Sequence, residues 1–187
     1  MVSRPNPSLA RDETPMRFLR FGEESVEKMV DWAMENLPPS SQPTVLEVGS
    51  GNGTLLFALQ EAGYLASRMC GFDYSSDAVN LAKAIGSTRG DGAEEISFTV
   101  RDFLSEELEV PRSILGSAGD AWEGWNLVLD KGTFDAIALG EKDESGRSPA
   151  ASYPSKLAHL LRPGGYFLIT CGCSCMSGLI PRKLNLD

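Results

Sequence analysis

The chain has 187 residues, 42% hydrophobic and 23% charged, with 17 Lys and Arg against 26 Asp and Glu for a net charge of -9. A single globular domain of that size buries around 70% of its unfolded surface, which excludes a disordered chain and a small scaffold dependent on disulfide or metal staples. Residues 1–140 carry 22 acidic and 11 basic side chains while residues 141–187 carry 4 and 6, and so acidic a surface argues against nucleic acid and for a basic substrate or partner.

No stretch approaches the ~20 apolar residues of a membrane span, and Met1 to Asp12 holds no apolar segment for a signal peptide, so a soluble, cytoplasmic protein with no membrane contact is expected. Residues 1–20 read as a polar arm. From Gly22 the pattern turns helical: Val26, Met29, Val30, Ala33 and Leu37 share one face, Trp32 packs the helix, and Pro38-Pro39 ends it. After a linker, Ser40 to Pro43, the run Thr44 to Val48 is a strand ending at a glycine cluster, and Thr54 to Ala62 is a helix that stops at Gly63. A second strand, Arg68 to Phe72, ends at Asp73; Ser76 or Asp77 caps a helix to about Ile85, and Gly86 to Gly92 is a loop. Ile96, Phe98 and Val100 alternate as a third strand ending at Asp102. Leu104 to Gly124 is mixed and broken at Val110-Pro111 and Gly116 to Gly119, the pattern of a surface insertion holding a turn or two. Trp125 to Leu129 is a fourth strand ending at Asp130, and Phe134 to Leu139 starts a helix. A charged loop, Glu141 to Pro149, precedes a helix from Ala151 to Leu161; Pro163-Gly164-Gly165 then turns into a fifth strand, Tyr166 to Cys171.

Apolar strands alternating with helices predict an α/β fold: a mostly parallel sheet with right-handed crossovers and helices on its faces. Ligands of such sheets bind at the carboxyl ends of the strands. Four strands in succession end on or beside an acidic residue, namely Glu47, Asp73, Asp102 and Asp130.

The loop Glu47-Val48-Gly49-Ser50-Gly51-Asn52-Gly53 separates two chemistries by its spacing. The dinucleotide fingerprint is G-x-G-x-x-G, whereas these glycines run G-x-G-x-G, and a pyrophosphate would sit badly near Glu47. The loop resembles the first motif of class I methyltransferases that use S-adenosylmethionine, a ligand with a sulfonium and an ammonium but no phosphate. Gly49 and Gly51 then face the methionine part. Asp73, at the next strand end, can accept from both ribose hydroxyls. Asp102 can accept from the adenine amino group, and Phe103 beside it offers a backbone donor and an apolar face. Each carboxylate also has a structural alternative: Glu47 can hold the loop by accepting backbone N–H bonds, and Asp102 can form a turn.

The resemblance narrows with Phe21-Gly22-Glu23 ahead of Lys28 to Trp32, with Gly71-Phe72-Asp73-Tyr74-Ser75, with Leu129-Asp130-Lys131-Gly132-Thr133-Phe134-Asp135 and with Leu161 to Thr170. From about Phe21 to Thr170 the chain is similar to the protein-lysine methyltransferases that modify translation elongation factor 1-alpha. The Asp-Lys-Gly-Thr-Phe-Asp block discriminates best, and the Asn/Asp-Pro-Pro-Tyr of enzymes that methylate amide or base nitrogens does not stand there. The resemblance implies a Rossmann-like class I methyltransferase fold over residues 21–171. It also implies S-adenosylmethionine as cofactor and elongation factor 1-alpha as the protein whose lysine is methylated. Carried over residue by residue, the cofactor set is Glu47, Gly49, Gly51, Asn52, Asp73, Tyr74, Asp102 and Phe103, with Asp130 at the catalytic position.

A lysine amine attacks only when neutral, and with a free pKa near 10.4 its deprotonation at pH 7 costs about 4.6 kcal/mol. Holding amine and methyl group in line supplies roughly 7 to 11 kcal/mol, enough to outweigh that cost. A carboxylate beside the amine raises its pKa, so Asp130 is expected to orient the lysine rather than act as a strong base, with water taking the proton. The alternative for Asp130 is to cap the turn that follows. Lys131 can pair with Asp135 at i+4, and His159, without a second His or nearby carboxylate, reads as packing or surface. Cys171, Cys173 and Cys175 supply three thiols where zinc takes four ligands, so no metal is expected.

Two departures from the family are visible in the sequence. Arg20 stands where the family has a Trp before Phe-Gly-Glu, and Cys171 to Asp187 shows no Asn-Trp segment, helix or antiparallel strand pair. Residues 172–187 are therefore expected as a non-family tail, the final strand pair as missing, and strand five as an exposed edge. The shortened chain leaves two rival functions: a non-catalytic cofactor-binding remnant, or a small-molecule N-methyltransferase.

Overall fold

The computed structural model describes residues 21–105, 110–111, 114, 122–170 and the backbone of 180–183. Six strands lie side by side in one sheet: β1 (Val45–Val48), β2 (Met69–Asp73), β3 (Ser97–Val100), β4 (Trp125–Lys131), β5 (Leu161–Thr170) and β6 (Ile180–Lys183). Their order is β3-β2-β1-β4-β5-β6. The first five strands are parallel, and every residue of β1 and β2 is buried, which is why those segments read as continuous apolar runs rather than alternating ones.

Helices α1 (Phe21–Asn36), α2 (Thr54–Glu61) and α3 (Ser76–Arg89) place Met29, Leu55, Leu59 and Val79 against Val45, Leu127 and Leu129 of the sheet. On the opposite face, α5 (Tyr153–Leu160) buries Tyr153 and Leu157 against Leu46, Val128 and Phe167, and the short α4 (Thr133–Ala138) adds Phe134 and Ile137. Strand alternation decides which buried acid meets which face. Glu47 follows Val45 toward the side of α1, α2 and α3, whereas Asp130 follows Val128 toward α4 and α5. Trp32 of α1 meets Tyr166 of β5 edge-on at 5.3 Å, the packing role expected of it.

All five parallel strands fall where the apolar runs predict, and the differences are local. Helix α3 continues past Gly86 to Arg89 and ends where Gly90 takes the left-handed conformation, and the Ala93 carbonyl packs against Gly86 where a Cβ would stand. Its cap is Ser75, whose hydroxyl accepts from the Ala78 N–H, rather than Ser76 or Asp77. Strand β4 runs two residues further than expected and takes in Asp130. Strand β5 starts at Leu161, which pairs with Trp125; the chain bulges over residues 162–165 before Tyr166 pairs with Leu127. The Pro-Gly-Gly segment is thus a bulge within the strand, not the turn before it.

Strand β5 is not an exposed edge. Tyr166, Phe167, Leu168 and Ile169 pair antiparallel with Lys183, Arg182, Pro181 and Ile180 of β6. A four-residue strand carrying a proline gives no alternation to read, and proline is tolerated at an edge, where its missing N–H costs no ladder bond. The polar arm, the three-cysteine cluster and most of Leu104 to Gly124 lie outside the described residues.

At the amino ends of β1 and β4, far along the strands from the glycine turn, the Asn126 side-chain oxygen accepts from the Thr44 N–H (3.0 Å) and hydroxyl (2.9 Å). The Asn126 N–H donates back to the Thr44 hydroxyl at 3.1 Å. Asn126→Ala strips the partner from a part-buried N–H and is expected to cost about 1 to 3 kcal/mol in urea denaturation, with ligand binding at the other end of the sheet unchanged.

Candidate functional site

The chain order reverses between β1 and β4, and the carboxyl ends of β1, β2 and β4 meet there with the segment after β3. A cavity of about 330 Å3 opens at this point, within the size range of small-molecule sites. Gly49, Asp73, Tyr74, Asp102 and Phe103 of the expected set line it. So do Phe72, Arg101, Leu104, Thr133, Ala136 and Ile137, which carried no expected role. Glu47, Gly51, Asn52 and Asp130 are not among its lining residues.

The glycine turn is built by close approach on one side and open space on the other. Gly49 has φ 65, and a Cβ there would overlap the Thr133 hydroxyl, which donates to the Val48 carbonyl at 2.8 Å. Gly51, at φ 54, has nothing within 4 Å of the position a Cβ would take. A ligand can therefore come up to its backbone, as a side chain would prevent. Asn52 accepts from the Thr54 hydroxyl at 2.7 Å and belongs to the outer side of the turn.

Asp73 secures the same turn. Its carboxylate accepts from the Gly51 N–H and the Ser75 N–H, both at 2.9 Å, and it is 9% exposed. Each carboxylate oxygen can take a second donor, so these bonds leave acceptor capacity toward the cavity. Tyr74 beside it is exposed. Asp102 accepts from the Leu104 N–H (2.9 Å) and the Ser105 hydroxyl (2.6 Å), the turn-forming alternative, while still lining the cavity. The Ser105 hydroxyl first and then the Leu104 N–H hold its pKa below the ordinary carboxylate range. Phe103 is buried, stacked on Phe72 at 6.0 Å.

Asp130 does something other than meet a lysine. Its side chain has no exposure, and its two oxygens accept from the Thr133 N–H (2.6 Å), the Phe134 N–H (2.9 Å) and the Tyr153 hydroxyl. This is the capping alternative, extended by a tyrosine from α5. The expected contact with the incoming lysine is revised accordingly, because a sealed carboxylate with three donors cannot reach a substrate amine. Burial pushes its pKa up to about 6, against the lowering effect of the Tyr153 hydroxyl and the two N–H groups. The hydroxyl's own pKa is raised by burial and by that carboxylate. Tyr153 carries no local motif that would have exposed this partnership; Thr133 does, as the hydroxyl following Asp-Lys-Gly.

Glu47 lies beneath the turn, 1% exposed, with Oε2 lacking a hydrogen-bond partner. Burial raises its pKa to about 8, Lys131 pulls it down, and Asp130 and Asp73 add to the rise. Burial thus favours the protonated form of this group in the folded protein.

Residues 39–184 match the family model described as a methyltransferase domain. The chain belongs to that family. EEF1A lysine methyltransferase 2 of Danio rerio is 34% identical over 150 residues, which cover 80% of this chain and 56% of that protein. Protein-lysine N-methyltransferase efm4 of Schizosaccharomyces pombe is 34% identical over 161 residues, covering 80% of this chain and 63% of that protein. The chain thus spans somewhat more than half the length of these curated relatives. The crystal structure of magnesium protoporphyrin IX methyltransferase from Synechocystis PCC 6803 with bound SAM superposes with a TM-score of 0.53 at 18% identity, over 90% of this chain and 68% of that one. At that identity the match establishes the fold: a Rossmann-like methyltransferase sheet flanked by helices. Among the described residues no helix is long and apolar enough to cross a membrane, and no cluster of His, Cys, Asp and Glu could hold a metal ion.

The buried acid of this methyltransferase domain has a measurable signature. A proton retained by Glu47 only in the folded state stabilises the fold fully below the unfolded pKa of 4.5, and that stabilisation is lost as pH rises through about 8. Thermal denaturation across pH 4 to 8.5 is expected to show wild type losing stability relative to Glu47→Gln, by an amount approaching ~3 kcal/mol or more at the alkaline end. Parallel pH profiles for the two proteins would refute the assignment.

Proposed function

We propose that the domain binds S-adenosylmethionine in the strand-end cavity and transfers its methyl group to a lysine of translation elongation factor 1-alpha. The observation that carries this is the meeting, in one cavity, of the glycine turn with Asp73 and Asp102. The names of the relatives from Danio rerio and Schizosaccharomyces pombe support the substrate.

The residues fit this cofactor in three respects. Gly51 offers an open backbone approach, Asp73 and Asp102 retain acceptor capacity for ribose hydroxyls and an adenine amino group, and Phe72 with Phe103 supplies apolar surface. Glu47, with an unpartnered oxygen beneath the turn, adds negative potential next to a cationic ligand once it ionises.

Bound there, S-adenosylmethionine supplies an electrophilic methyl group, which a neutral amine takes as the carbon–sulfur bond breaks, S-adenosylhomocysteine leaves and the amine's extra proton passes to water. The chain's own residues bind and align rather than act as a base. Asp73 takes the ribose, Asp102 and the Phe103 backbone take the adenine, and the Gly49 to Gly51 backbone takes the methionine end. Asp130 works at one remove by holding α4. A groove of about 540 Å3 that shares Leu104 with the cavity and runs along Glu141, Asp143, Pro149 and Ser152 leaves room for a protein segment beside it.

Calorimetry with S-adenosylmethionine is expected to show binding, and methyl-labelled cofactor is expected to mark a lysine of purified elongation factor 1-alpha. Asp73→Ala removes two bonds to a charged acceptor and is expected to weaken cofactor binding by about 100-fold. No binding by a folded wild type sinks the cofactor assignment. Binding without transfer indicates a non-catalytic remnant, and turnover of free amines without the factor indicates a small-molecule acceptor.

A further inference from the structure

The hydroxyl of Tyr153 and the carboxylate of Asp130 meet in the interior, and binding of the proposed cofactor calls on neither of them directly. The Tyr153 ring packs against Phe103 at 4.8 Å, Phe134 at 5.0 Å and Phe167 at 6.3 Å. Its hydroxyl points at Asp130. Through Asp130 the same hydroxyl reaches the Thr133 and Phe134 N–H groups, which open α4.

Helix α4 needs such a hold. It has six residues and its N-cap is Gly132, which offers no side-chain acceptor. Its first N–H groups have no intrahelical partner, and Asp130 takes two of them from outside the helix. Thr133, Ala136 and Ile137 of α4 form one wall of the cavity. Thr133 also sets the shape of the glycine turn, since its hydroxyl bonds Val48 and fills the space beside Gly49.

We propose that Tyr153 is a positioning residue for the cofactor cavity, acting through Asp130 to hold α4 and the Thr133 hydroxyl against the glycine turn. This rests on the cavity being the S-adenosylmethionine site. Tyr153 does not touch the cofactor; it keeps a wall in place. Because it also opens α5 directly after Pro149–Ser152, one hydroxyl joins the cofactor wall to the segment that lines the neighbouring groove.

Tyr153→Phe keeps the ring and removes the bond. Tyr64→Phe is the control: another buried tyrosine whose hydroxyl donates to the Leu37 carbonyl at 2.8 Å, in the core on the other face of the sheet. Both variants are taken through thermal denaturation, calorimetry with S-adenosylmethionine and amide hydrogen exchange read by NMR at Thr133 and Phe134. Tyr153→Phe is expected to bind about 10-fold more weakly and to exchange those two amides about 10-fold faster, while Tyr64→Phe stays within about twofold on both. Unchanged affinity in Tyr153→Phe, or equal weakening in the two variants, overturns the proposal. Should Tyr153→Phe fail to fold, Thr133→Val tests the same linkage by deleting the bond to Val48, and wild-type affinity in that variant overturns it. No binding by wild type would defeat the cofactor assignment instead, and the exchange contrast alone would then uphold or overturn the hold of Tyr153 on α4.

Discussion

A carboxylate withdrawn from water has to be given donors or a proton, and this condition organises the carboxyl edge of the sheet. Asp73 and Asp130, both buried at strand ends, and the partly exposed Asp102 just past β3 are each met by N–H or O–H groups from the segment that follows or from a neighbouring turn. Those bonds do more than neutralise a cost. Asp73 draws in Gly51 and Ser75 and so joins the turn after β1 to the turn after β2. Asp130 draws in Thr133, Phe134 and Tyr153 and so joins β4, α4 and α5. The carboxylates thus bond segments that border the cavity.

Glu47 meets the same condition by the other route. One oxygen has no partner, and burial raises its pKa to about 8, which favours the protonated form. Its nearest electrostatic relief is Lys131, two residues after Leu129, the partner of Glu47 in β4. A cationic ligand above the glycine turn would shift that balance toward the ionised form, which is the physical sense in which an acid buried there suits a sulfonium and an ammonium better than a phosphate.

The four acids are consequently not equivalent. Asp73 and Asp102 line the cavity, Glu47 is buried without lining it, and Asp130 is fully buried and caps α4. Under the proposed function, methyl transfer would rest on alignment, because Asp73, Asp102 and Asp130 each already accept from donors of their own chain.

Much of the fold was legible in the sequence. The five apolar runs, the glycine turn with its G-x-G-x-G spacing and the acids at the strand ends are local patterns, and burial on both faces of a parallel sheet forces them into view. The cavity-lining residues Gly49, Asp73, Asp102 and Phe103 could be named because strand ends recur at readable intervals. What a side chain faces is not a local property. Asp130 and Asp73 look alike in sequence, yet one points toward α5 and is sealed by Tyr153, 23 residues away, while the other borders the cavity. Likewise the need for glycine at position 49 comes from Thr133, and β6 exists only by pairing with β5. Sequence alone determined which elements form and which edge of the sheet carries the acids, because both follow from short-range periodicity. Tertiary structure decided which acids line the cavity and which are sealed beneath it, because that depends on donors brought in from distant parts of the chain.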